Sequence, residues 1–354
     1  MMSRIPLLYI LHSGNLYGTE RMALATAEGL ADRFDCVILS PEGPAQAEAG
    51  RIGLKALAFG STTELARLIR PTFAASHKVA VIATGVSHSL AAIALNAVYR
   101  RQMVHLHVVH GGTDERLSYG RKRLLNHSAA LLVAVSNFVK DRLVANGSRG
   151  DKIHVIENFL PESRVAKFLQ RGQFVSSGIR KIVVNSRIDP IKRVDLLFSA
   201  MEHEPLLREL QIRVLGTGWE LDNLRARAVA NYPNITLVGF TTEVEQELAG
   251  ADLLVHLCPA EPFGLAILEA MAAGVPVVVP DSGGAGSLVE DGVSGFRFSA
   301  NDVGSLSEKL LQIRRTSAAG QNQIAANARL LLNTRFSATA RIDDYRTLLE
   351  AGLA

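Results

Sequence analysis

The chain has 354 residues, 48% of them hydrophobic and 20% charged, the balance of an ordinary globular protein and not of a disordered one. Its two cysteines exclude a disulfide framework and a cysteine-rich metal centre, and no apolar stretch is long enough to span a bilayer. The net charge of +4 is uneven: residues 1–165 hold 19 Lys and Arg against 13 Asp and Glu, residues 166–354 hold 19 against 21. Arg100-Arg101 and Arg121-Lys122-Arg123 are the densest basic clusters. They lack interleaved aromatics and any helix-turn-helix, zinc-finger or RNA-binding signature, so nucleic acid ranks below a solvated face and an anionic lipid surface as their meaning.

In chain order, the apolar run Leu7–Leu11 follows Pro6 and runs into His12-Ser13-Gly14, which reads as a first strand and not as a secretion signal. Strand-type runs continue at Asp35–Ser40, Lys55–Phe59, Val79–Thr84, Val104–His110, Ala130–Ser136 and Lys152–Glu157. The pattern restarts at Lys181–Asn185, Gln211–Leu215, Ile235–Val238, Leu253–Leu257, Val275–Pro280 and Gly295–Phe298. Amphipathic stretches such as Glu20–Arg33, Val194–Met201, Leu221–Ala230 and Ala266–Ala273 separate them. Cys36 and Cys258 fall in or beside apolar runs and read as small core residues in a reducing compartment.

Strand and helix alternation predicts α/β architecture with parallel sheets covered on both faces. Two series imply two Rossmann-like doubly wound domains, 1–165 and 178–330. The polar stretch Arg164–Gly178, ending Val175-Ser176-Ser177-Gly178, reads as a hinge. The helical stretch Phe336–Leu349 is assignable to either domain and free to pack back on the first. Ligands of such sheets bind beyond the C-terminal strand ends, so two sheets facing each other are expected to frame a cleft.

The most specific string is Pro259-Ala-Glu261-Pro-Phe263-Gly264-Leu265-Ala-Ile-Leu-Glu269-Ala-Met-Ala-Ala-Gly274-Val-Pro276. A strand runs into a tight loop, the loop opens a helix, and Gly274 with Pro276 stops it. One carboxylate lies before the helix and the other about a turn and a half inside it. Gly264 permits close backbone approach, and the free N–H groups of Gly264 and Leu265 favour an anion. Upstream, Val184-Asn-Ser-Arg187-Ile-Asp-Pro-Ile-Lys192-Arg193 places an Arg and a Lys after a strand, where they suit a diphosphate.

These strings resemble the retaining glycosyltransferases of family 4, of GT-B fold, over nearly the whole chain. The resemblance implies that Glu261 contacts a donor sugar, that Glu269 holds the ribose hydroxyls of the nucleotide, and that Arg187 and Lys192 stabilise the departing diphosphate. It assigns Phe240, in Val238-Gly-Phe240-Thr-Thr242, to the nucleotide base, and His110, in His105-Leu-His107-Val-Val-His110-Gly111-Gly112, to the donor sugar. Asn15-Leu-Tyr-Gly18-Thr19-Glu20-Arg21 resembles the family's Gly-rich loop, with Thr19 where a second glycine is usual, and the resemblance puts Gly18, Thr19, Phe263, Gly264 and Leu265 among the donor-binding residues. Two further departures are Ser287, where Glu is usual after Gly283-Gly284, and Asn158-Phe-Leu-Pro161 at the domain junction.

The expected reaction is therefore transfer of a hexose from a nucleotide-diphosphate sugar, UDP-glucose or a close relative, to a saccharide or lipid-linked acceptor. No Asp-x-Asp occurs, and His105-x-His107 has no matching ligand set, so neither a metal nor a cofactor is expected. The basic N-terminal half suggests peripheral contact with an anionic membrane, for a cytoplasmic protein at the inner membrane face. Three alternatives stay open: an epimerase of GT-B fold, a non-catalytic sugar-nucleotide binding protein, and an NAD oxidoreductase. The last rests on Gly216-Thr-Gly218, whose third fingerprint position is Leu221.

Overall fold

The computed structural model describes residues 4–354. All strand pairs are parallel, and they form two sheets. The chain divides into two compact units, residues 1–158 with 338–354, and residues 159–337.

The first unit holds β1 (Ile5–Ile10), β2 (Phe34–Ser40), β3 (Lys55–Ala58), β4 (Lys78–Ala83), β5 (Gln102–Val109), β6 (Leu131–Ala134) and β7 (Ile153–Val155). Their order is β3-β2-β1-β4-β5-β6-β7. Central strands are near-continuous apolar runs because helices cover both faces, and in β4 every residue from Val79 to Ala83 is buried. β1 pairs with β2 on one side, Leu7 opposite Cys36, and with β4 on the other, Leu7 opposite Ala80. That is the point where the winding reverses, and where ligands of doubly wound sheets bind.

Helix Ala338–Ala351 completes this unit. Gly29 leaves room for Ile342, Arg346 reaches Asp32 at 3.1 Å, and Lys78 Nζ donates to the Leu353 carbonyl at 2.5 Å.

The second unit holds β8 (Lys181–Asn185), β9 (Gln211–Leu215), β10 (Ile235–Gly239), β11 (Leu253–Val255), β12 (Val277–Pro280) and β13 (Phe296–Phe298), in the order β10-β9-β8-β11-β12-β13. Its winding reverses between β8 and β11. Helices Asp195–His203 and Val303–Arg315 seal one hydrophobic core through Leu196, Leu197, Phe198, Leu306 and Leu310.

The polar stretch 164–178 is part of the second unit. Phe168 and Phe174 are buried in it, Asn322 holds both backbone groups of Phe174, and Arg171 pairs with Asp252 at 2.5 Å. Two apolar anchors and an ion pair hold this stretch, whose polarity reads as a hinge, onto the second unit.

Candidate active site

In the second unit, the loops after β8 and β11 flank the switch point. The loop after β8 makes a short turn, Pro190–Lys192, which carries Lys192 toward the β11 loop. There Lys192 Nζ donates to Glu261 Oε2 at 2.6 Å. Both side chains are largely enclosed, 19% and 14% exposed. Burial alone would lower the Lys192 ammonium and raise the Glu261 carboxyl. The opposite charge of each partner and the hydrogen bond between them outweigh that, so Lys192 titrates above its ordinary value and Glu261 below. His256 Nε2 lies 3.5 Å from the same carboxylate oxygen. Burial holds that imidazole down to about 4 despite the attraction of Glu261. Burial likewise pushes the Cys258 thiol up to about 11, so it is no nucleophile at neutral pH.

Backbone packing fixes this loop. Gly283, at φ +69°, lies under it, where a Cβ would stand 2.9 Å from the Pro259 carbonyl. The Gly284 N–H donates to the Glu261 carbonyl at 2.6 Å, and Ser282 Oγ to that of Pro259 at 2.7 Å. Gly264 takes a left-handed conformation, φ +109°, to start helix Leu265–Ala273. Its two first N–H groups stand at a helix start with no side-chain cap. The Phe263 ring, expected to meet the donor, is turned inward, packed edge-on against Phe336 with 5.9 Å between centroids. Only its backbone is left for a ligand.

Glu269 lies on that helix, 17% exposed. Arg164 approaches Oε1 at 3.1 Å and also pairs with Glu245, while Asn185 Nδ2 donates to Oε2 at 3.3 Å. Neither Arg164 nor Asn185 was singled out from the sequence. Asn185 ends the strand before Arg187 and was there to be noticed. Arg164 stands 105 residues from Glu269, and no local pattern marks it.

Arg187 is 66% exposed and paired with Asp189. Gly216 and Gly218 exist for packing: a Cβ on either would overlap the Ser186 or Ile188 carbonyl of the Arg187 loop. Phe240 is 77% exposed beyond β10, and Trp219, beyond the neighbouring β9, is 88% exposed.

In the first unit, the other switch point opens on a pocket of about 520 Å³ beyond β1, β4 and β5. His12, Thr19, Thr84, His110 and Lys122 line it. Gly18 is the first residue of helix Gly18–Leu30, whose Glu20 Oε2 accepts the Tyr17 N–H at 3.1 Å. Beneath the pocket, Ser89 Oγ bridges His105 Nε2 at 3.0 Å and His107 Nδ1 at 2.8 Å. Both histidines are core residues.

Burial lowers these imidazoles: His88 and His105 to about 4, His110 to about 3, and His107 well below its ordinary value. They fold neutral. Below pH 6.5 the unfolded chain takes up protons that the folded unit refuses, so their contribution is complete above 6.5 and lost as pH falls toward 4. At pH 5 His88 and His105 each cost about 2 kcal/mol. A melting midpoint at least ~10 °C lower at pH 5 than at pH 7.5 is expected for the first unit. A midpoint that does not move would show that the imidazoles protonate inside the fold.

Two family patterns match the chain in succession, Glycosyltransferase Family 4 over residues 17–164 and Glycosyl transferases group 1 over residues 168–330. The D-inositol 3-phosphate glycosyltransferase of Geodermatophilus obscurus is 34% identical over 161 residues, covering 42% of this chain and 35% of that protein. The N-acetyl-alpha-D-glucosaminyl L-malate synthase of Bacillus anthracis is 24% identical over 203 residues, 55% of this chain and 53% of that protein. The matches thus span about a third to a half of these curated relatives' length. Anabaena HepE, solved with UDP, superposes with a TM-score of 0.81 at 20% identity, over 98% of this chain and all of that one. Its complex with UDP-glucose gives 0.79 at 21%, with the same coverage. Two parallel sheets, each reversing at its centre, and the two adjoining patterns place the chain in one family: it belongs to the family-4 glycosyltransferases of GT-B fold.

Proposed function

We propose that this protein moves a hexosyl group from a nucleoside-diphosphate sugar, UDP-glucose or a close relative, to a saccharide or lipid-linked acceptor, with retention of anomeric configuration and without a metal. The observation that carries the reading is the enclosed Lys192–Glu261 pair at the second unit's switch point, with Glu269 on the helix that follows. An ammonium has three donors, so Lys192 can keep Glu261 and still take a phosphate oxygen. Arg187 leaves Asp189 for the same diphosphate. The N–H groups of Gly264 and Leu265 add fixed dipoles, and the charge that grows on the leaving group is thereby stabilised without a cation. Glu261 accepts hydroxyls of the donor sugar, Glu269 those of the ribose, and Phe240 packs on the base. In the first unit, Gly18, Thr19 and His110 are the polar groups we assign to sugar and phosphate contacts.

In the transfer, the bond from the sugar C1 to the diphosphate oxygen breaks and a bond from C1 to the acceptor oxygen forms on the same face. The acceptor proton passes to the departing phosphate oxygen. The uridine donor is supported by HepE, which shares the fold and was solved with UDP and UDP-glucose. No helix among the described residues is long and apolar enough to cross a membrane. The exposed edge formed by Arg116, Leu117, Arg123 and Leu124 is the face we assign to peripheral contact with an anionic membrane.

The test is donor turnover followed by NMR of the anomeric carbon, with and without EDTA. Release of UDP with an α-configured product, unchanged by chelation, is expected. Loss of turnover in EDTA, restored by Mn²⁺ or Mg²⁺, would sink the metal-free reading. Epimerised sugar formed without acceptor would replace transfer by epimerisation, and tight donor binding with no turnover would leave a binding protein.

A further inference from the structure

We propose that the pocket of the first unit recognises a phosphate ester, so that the acceptor of the transfer carries a phosphate, held by Lys122, Arg121 and the first turn of helix Val86–Tyr99. This deepens the transferase reading and rests on it.

Arg121, Lys122, His12 and His110 line the pocket, and no carboxylate does. Lys122 is 8% exposed, an unusual state for a lysine. The one hydrogen bond of its ammonium among the described residues goes to the Leu117 carbonyl at 2.8 Å, and neither it nor Arg121 has an ion-pair partner among them. Buried cations ordinarily find a carboxylate. The acidic group that acts on His12 is Glu20, and that carboxylate is turned to the Tyr17 N–H of its own helix start. Burial and the neighbouring Arg121 bring the Lys122 ammonium down to about 8, a strain that a bound anion would relieve.

The other wall supplies donors. Helix Val86–Tyr99 begins at Gly85 with no side chain capping it, and Gly85, Val86 and Ser87 all line the pocket. The hydroxyls of Thr19, Ser87 and Ser118 stand around the same space. Free N–H groups at a 14-residue helix start, two cations and a ring of hydroxyls form the donor set of an oxyanion with three or more acceptor oxygens. The volume, about 520 Å³, suits a sugar phosphate or a lipid headgroup and exceeds what inorganic phosphate fills.

The experiment is calorimetry on the full chain, without donor, using glucose 6-phosphate, glucose and inorganic phosphate as probes. Glucose 6-phosphate is expected to bind, glucose not, and inorganic phosphate to compete. Lys122→Gln should weaken binding at least ~10-fold and Arg121→Gln about 5-fold. Ser87→Asp sets a carboxylate at the helix start, favourable for the helix and repulsive to phosphate, so binding should fall ~10-fold with no loss of melting temperature. This variant keeps the test decisive if Lys122→Gln does not fold. Arg33→Gln, an exposed charge removed elsewhere in the unit, should change nothing. Vesicles of phosphatidylcholine with phosphatidic acid distinguish the source. Lys122-dependent competition by them places the phosphate on a lipid, and its absence places it on a soluble sugar; either supports the proposal once glucose 6-phosphate binds. Equal binding of glucose and its phosphate, or binding indifferent to Lys122, Arg121 and Ser87, overturns it. UDP binding measured alongside separates the two readings: UDP bound with no phosphate ester bound defeats this inference alone.

Discussion

Lys192→Ala is expected to slow transfer ~100- to 1,000-fold, the loss that follows when a preorganised donor to a developing oxyanion is removed. It should also weaken the second unit by about 3–5 kcal/mol, because Glu261 would be left enclosed without a counter-charge. Steady-state rates and denaturant unfolding read the two effects separately. Lys192→Met with Glu261→Gln supplies the control, since removing both charges should restore most of the stability and none of the activity. The pair also has a pH signature. Glu261 titrates below its ordinary 4.5 in the fold, so its contribution is present above that value and lost as pH falls through the lowered one. Lys192 titrates above 10.5, so its contribution is present below that value and lost as pH rises through the raised one. Stability from the pair is thus complete from about pH 5 to pH 10. Normal turnover in Lys192→Ala would remove the diphosphate assignment.

Glu269→Ala is expected to weaken UDP binding roughly 100-fold, the loss of charge-assisted hydrogen bonds to a ribose diol. The fold should suffer little, because Arg164 keeps Glu245 as a partner. Calorimetry with UDP and uracil separates the contributions: uracil carries no ribose, so any affinity it shows should be the same in both proteins. Undiminished UDP binding would mean that Glu269 serves only to hold Arg164 and Asn185.

All thirteen strands of the described residues were legible in the sequence, most of them as short buried runs of Val, Ile and Leu, and β3, Lys-Ala-Leu-Ala with no residue fully buried, by its place in the strand and helix alternation. The loop from Pro259 to Gly264 and the helix after it were legible for a related reason: Gly264 and Gly274 stand where left-handed backbone is required, at φ +109° and +73°. What the sequence hid were partnerships between distant segments. Arg164 reads as an exposed charge in a polar stretch until Glu245 and Glu269 come to it. Lys122 reads as the middle of a surface cluster. It lies in a tight turn over Gly120–Leu125 with about three residues per turn, so Lys122 and Leu125 share the buried side while Arg121, Arg123 and Leu124 stay exposed, Arg121 at the mouth of the pocket. Phe263 shows the opposite case: it stands in the motif beside Gly264, and its ring packs in the core against Phe336.

The return of residues 338–354 to the first unit has a consequence for the order in which the molecule is made. The second unit is one uninterrupted segment and can finish as soon as residue 337 has emerged, whereas the first unit appears earlier on the ribosome and is completed later. Until helix Ala338–Ala351 arrives, Asp32 lacks Arg346, Lys78 lacks the Leu353 carbonyl, and the space beside Gly29 lacks Ile342. A nascent chain therefore carries a first unit whose sheet is complete but whose closing helix is missing through the synthesis of about half its length, a vectorial constraint that a circular permutant starting at residue 338 would abolish.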